Sequence, residues 1–127
     1  MTLTPAEVLR AARNVMERID PATAGLWPRA TALLARQALE SALDAFWKEV
    51  REPGIAQCSM KAQLLCLPHF LRDEPLAERV SYAWAGLSGA CHQHPYELPP
   101  TSAELLGWLG TVEELVADIG ARESRRP

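Results

Sequence analysis

The chain has 127 residues, 48% of them hydrophobic and 23% charged, with a net charge of −3. That is enough chain to bury one ordinary core without staples, and too little to suggest several domains. The mild negative balance argues against a protein held on nucleic acid by a broad positive field, and no apolar run approaches the roughly 20 residues that span a bilayer.

The N-terminal punctuation is that of a helix. Thr4-Pro5-Ala6-Glu7 reads as a capping box with proline in the first turn. Behind it Val8, Ala12, Val15 and Ile19 recur at helical spacing, flanked by Leu9 and Met16, until Asp20-Pro21. Glu7, Arg10 and Arg13 interrupt any signal-peptide pattern. A loop through Gly25 brings Leu26 and Trp27 to one end of the core, and Pro28 opens a long second helix. Its inward stripe is Ala32, Leu39, Leu43, Phe46 and Val50. Arg36, Glu40, Asp44 and Lys48 fall on another face and read as a solvated ladder of weak pairs. Pro53-Gly54 closes this helix.

A shorter third helix starts near Ser59, holds Met60, Leu64, Leu65 and Leu67, and stops at Pro68. Asp73-Glu74-Pro75 opens a fourth, with Val80, Trp84, Leu87, Cys91 and His94 as its stripe. After Pro99-Pro100 a second capping box, Thr101-Ser102-Ala103-Glu104, starts the last helix. Its stripe is Leu105, Trp108, Val112, Leu115 and Ile119. Gly107 and Gly110 each cost about 1 kcal/mol of helix propensity relative to alanine, so close approach by a neighbouring helix is expected at both. Residues 122–127 read as a short basic tail. No stretch alternates with a period of two, and no strand is predicted. The expected fold is all-α: one domain over residues 1–121, an antiparallel up-and-down bundle of four long helices plus one short helix.

The cysteines, Cys58, Cys66 and Cys91, are odd in number and follow no leader pattern. They predict reduced thiols in a cytoplasmic protein, each packing as a small hydrophobe.

Chemically capable side chains concentrate in Ala90-Cys91-His92-Gln93-His94-Pro95-Tyr96. Successive helical residues are about 100° apart around the axis, so His92 and His94 point in different directions. Cys91 and His94 share the inward stripe, which makes Cys91 a packing residue. Ser88 and His92 share an adjoining face. Pro95 disfavours helical geometry at His94 and puts it in the last helical turn, where free carbonyls favour a protonated imidazole. Such a ring can hold or move a proton near neutral pH.

At this point the chain resembles the HEPN superfamily, helical bundles that include toxins, defence ribonucleases and nucleotide-binding accessory domains. The likeness rests on the alanine- and leucine-rich second helix, Leu33 to Leu43, and on His94-Pro95-Tyr96, which is similar to the family's His-x-Tyr ending. The wider segment Cys91-His92-Gln93-His94-Pro95-Tyr96-Glu97-Leu98 is similar to short HEPN-like proteins. The resemblance implies metal-independent endoribonuclease chemistry without a cofactor. It makes His94, and secondarily His92, the proton-handling residues, with Tyr96 and Ser88 in binding or regulatory roles. It also implies a homodimer, RNA as a partner, a toxin–antitoxin or phage-defence setting, and a nucleotidyltransferase-type antitoxin that modifies Tyr96.

The family also carries an arginine between one and two helical turns ahead of its histidine. Here that position falls on Gly89, Ser88 or Leu87 counted from His94, and on Leu87, Gly86 or Ala85 counted from His92. The nearest arginine upstream is Arg79. A phosphate-binding cation must therefore come from elsewhere, Arg29 or Arg36 for instance, or the ribonuclease activity is divergent or lost. Two alternatives remain: a non-enzymatic homodimeric interaction module anchored by Trp84 and Tyr96, and a metal-binding helical protein using Cys66, His69, Cys91 and His92.

Overall fold

The computed structural model describes residues 3–17, 27–92 and 98–125. Among these residues the protein is all-helical, without strands: α1 (Pro5–Glu17), α2 (Trp27–Glu49), α3 (Pro53–Ala56), α4 (Met60–Leu71), α5 (Glu74–Cys91) and α6 (Ser102–Ser124). No helix among them is long and apolar enough to cross a membrane.

Both predicted capping boxes form. At α1 the Thr4 amide donates to Glu7 Oε1 at 3.0 Å, and Thr4 Oγ1 accepts from the Glu7 amide at 3.2 Å. The Thr4 backbone N–H, and then its side chain, hold the Glu7 carboxyl below its ordinary pKa. At α6 Thr101 and Glu104 make the same reciprocal pair. Asp73 caps α5 by accepting from the Leu76 amide at 3.1 Å.

Helix α2 is the central element and packs against α1, α3, α5 and α6. Its predicted residues Ala32, Leu39, Leu43 and Phe46 are fully buried, but so are Ala35, Ala38 and Trp47. The burial extends well around the helix because the alanines let neighbouring helices close in on more than one side. Arg13 of α1 grips Glu113 of α6, with Nε 2.6 Å from Oε2, and this bond holds the guanidinium above its ordinary pKa. The contacts Arg79–Glu114 and Gly86–Trp108 run in opposite order along α5 and α6, so these two helices pack antiparallel.

Several expectations are corrected. Pro53-Gly54 does not simply end α2. That helix stops at Glu49, Arg51 takes a left-handed conformation with φ 61°, and Pro53 starts a separate single turn, α3. Gln63 holds the junction: it accepts from the buried Trp47 indole N–H at 2.8 Å and donates to the carbonyls of Ala56 and Cys58. Helix α4 runs through Pro68 to Leu71. An interior proline costs about 3 kcal/mol, and the next turn offsets this by burying Leu71 and setting Phe70 edge-on to Trp47, with centroids 5.5 Å apart.

The glycine expectation also fails. A Cβ on Gly107 or Gly110 would meet open space, whereas one on Gly86 would fall inside the Trp108 indole. The close approach therefore belongs to α5, and it lifts Trp108 to a half-buried position while Leu109 takes the interior one. Helix α6 continues past the expected start of the tail to Ser124. Arg122 is drawn in because its guanidinium bonds both Asp118 and the Leu71 carbonyl. Cys91 is buried, as expected, but Cys58 is exposed, with its thiol facing the Gly54 carbonyl across 3.4 Å. Ile19 and Leu26 lie outside the described residues.

Candidate functional site

Trp84, Ser88 and His92 follow one another at single-turn intervals along α5 and form one row on its surface. The helix ends at Cys91, and His92 is its C-cap. The His92 amide donates to the carbonyls of Gly89 and Ser88, both at 3.2 Å, which anchors the residue that carries the imidazole.

Arg36 lies across this row from α2. Its Nη1 is 3.3 Å from His92 Nε2, and its Cζ stands 4.7 Å from the centre of the Trp84 ring. Its Nε lies 3.4 Å from Glu40 Oε1, one turn on along α2. Arg36 was expected in a solvated ladder, yet only 26% of its side chain is exposed. It sits next to buried Ala35, at the edge of the apolar stripe, and from there its long stem reaches over α5.

The chemistry of this contact is defined by what each group lacks. A guanidinium has donors and no acceptor, so His92 Nε2 can take part in this hydrogen bond only as the accepting nitrogen. Through His92 the cation reaches the residue that caps the C-terminal end of α5, an end that favours positive charge. The Ser88 hydroxyl, one turn below His92, is buried and without a hydrogen-bond partner among the described residues. The same is true of Thr31 on α2, for which the fold offers no explanation. The arrangement therefore joins a cation of the kind that can bind a phosphate, an imidazole nitrogen and an aromatic surface.

Of the residues singled out in the sequence, the structure puts His92 and Ser88 one turn apart on α5 and sets Arg36, one of the arginines considered as a substitute cation, against His92 and Trp84; Glu40 is added beside Arg36. His92 is exposed and points at Arg36. His94, Pro95 and Tyr96 lie outside the described residues. Cys66, His69, Cys91 and His92 do not gather: His69 is exposed on α4 and Cys91 belongs to the core. No group of three or more potential metal ligands occurs among the described residues.

Two grooves matter for the site. One of about 400 Å³ runs between α4 and α5, lined by Lys61, Leu64, Leu65, Ser81, Trp84 and Ala85, and shares Trp84 with the Arg36 contact. A larger one of about 540 Å³ lies between α5 and α6 near Tyr82 and Trp108. The larger groove presents the carboxylates of Glu78 and Glu104, and its arginine, Arg79, is engaged by Glu114 at 2.8 Å. It suits an anion poorly. No protein-family model, curated protein or solved structure matches this chain.

Proposed function

We propose that the Arg36–His92 pair is a divergent phosphodiester site acting on RNA, in a HEPN-like bundle of antiparallel up-and-down helices. The observation that carries this is the 3.3 Å approach of Arg36 Nη1 to His92 Nε2. It supplies from α2 the cation that the segment on α5 lacks.

The chemistry follows from the two groups. A substrate phosphate takes the Arg36 guanidinium, which stabilises charge developing on the phosphoryl oxygens. Drawing Arg36 away frees the Nε2 lone pair of His92 to accept the proton of the ribose 2′-hydroxyl. The 2′ oxygen then bonds to phosphorus as the bond to the 5′ oxygen breaks, leaving a cyclic phosphate. The departing oxygen takes a proton from solvent. No metal enters these steps. The homodimer, the setting in defence or toxin–antitoxin biology, and a nucleotidyltransferase-type partner acting on Tyr96 are supported by the sequence resemblance alone.

The test is incubation of purified protein with single-stranded RNA in the absence of divalent metal. Loss of cleavage by a hundredfold or so in both Arg36→Ala and His92→Ala is expected, the scale of general acid–base catalysis. RNA left intact by the wild type, and bound no better than by the double variant, overturns the assignment. The second reading, a non-enzymatic homodimeric interaction module, draws on the apolar side chains of Tyr82 and Leu65, each 72% exposed. Trp84, expected as its anchor, is half-buried beneath Arg36.

A further inference from the structure

We infer that the groove between α4 and α5 is a nucleobase subsite contiguous with the Arg36–His92 pair, with Trp84 as the shared wall and Lys61 as a second phosphate contact. This rests on the reading of that pair as an RNA site. Arg36 is not part of the groove lining, so the indole meets the groove through surface that the guanidinium leaves uncovered. Leu64 and Leu65 add an apolar wall, and Ser81 places a hydroxyl on the α5 side. A volume of about 400 Å³ lies within the range of small-molecule sites, roughly 300–1,000 Å³.

Charge selects the occupant. Lys61 is exposed and makes no ion pair among the described residues, and no acidic side chain lines this groove. Arg36 provides a second cation, over the ring of the same tryptophan. A base against an indole, with cations at the flanking phosphates, is how single-stranded nucleic acid is commonly gripped. The larger groove, with its two carboxylates, offers no such match.

The experiment measures binding of a short single-stranded oligoribonucleotide to the full chain, alongside oligomers made abasic at each position in turn. Leu65→Asp and Lys61→Ala are compared with Arg36→Ala. Leu65 is 72% exposed, so its replacement leaves the core alone. The expected result is that one abasic oligomer binds wild type about tenfold more weakly, the scale of one base–aromatic contact. Leu65→Asp then loses that discrimination, and Lys61→Ala weakens every oligomer equally. If Arg36→Ala weakens binding while all abasic oligomers bind wild type like the parent, the subsite is wrong and the phosphodiester site stands. If no oligomer binds, both fall. A dimer that becomes monomeric in Leu65→Asp, with RNA binding unchanged, assigns the groove to a second copy and overturns the proposal.

Discussion

Arg36 and His92 are 56 residues apart in the chain and 3.3 Å apart in space. The guanidinium is held from three directions, by the His92 ring, the Trp84 face and the Glu40 carboxylate. Glu40 occupies the acceptor role that a substrate phosphate would take. Glu40→Gln removes that competitor and is expected to tighten binding of inorganic phosphate or RNA severalfold. This corresponds to an exposed ion pair worth up to about 1 kcal/mol. Calorimetric titration at low and raised salt checks it, and unchanged affinity would show that Glu40 does not compete.

Gly86 and Gly107 predict opposite outcomes for the same substitution. Gly86→Ala drives a methyl group into the Trp108 indole and is expected to destabilise the protein by about 1–3 kcal/mol. Gly107→Ala adds a methyl group in open space within a helix and is expected to stabilise by up to about 1 kcal/mol. Urea denaturation of the two variants side by side measures both. Equal effects would mean that the α5–α6 contact is looser than the structure has it.

Removing the Gln63 amide leaves the buried Trp47 indole N–H without an acceptor and the α3–α4 junction without its donor. Gln63→Ala is therefore expected to lose about 1–3 kcal/mol from the unpaired indole alone, and more from the space left behind. Thermal denaturation is the readout. Gln63→Leu, which restores volume without hydrogen bonds, should recover only part of the loss.

The Thr4–Glu7 box makes the start of α1 sensitive to acid. Glu7 is held below its ordinary pKa by the Thr4 amide and then by the Thr4 hydroxyl. Its folded-state pKa thus lies beneath its unfolded-state one. The stabilisation is complete above the unfolded value and is lost as pH falls through the lowered folded one. Amide protection in the first turn of α1, measured against the intrinsic exchange rate at each pH, should fall over that interval in wild type, whereas Glu7→Gln should show little further change there.

The elements written within a few residues of themselves were legible in the chain. Thr4 with Glu7, Asp73, and Thr101 with Glu104 each bond an amide a turn away, so their caps need no tertiary information. The stripe Leu39, Leu43 and Phe46 likewise declared a buried face by its spacing. The continuation of α4 through Pro68 was not legible. It depends on Phe70 meeting Trp47, a residue of another helix. The extra turn at Pro53 and the inward pull on Arg122 have the same character, since Gln63 and the Leu71 carbonyl are their partners.

The candidate site divides along the same line. By itself the sequence determined that Ser88 and His92 share a face, because a single helix's pitch decides it. It also showed that no arginine stands one or two turns ahead of either histidine. Only the tertiary structure decided that Arg36 reaches that face and that Gly86, not Gly107 or Gly110, is the point of close approach. Both depend on how α2, α5 and α6 are rotated against one another. That rotation is set by the fit of many buried side chains at once, and no local spacing records it.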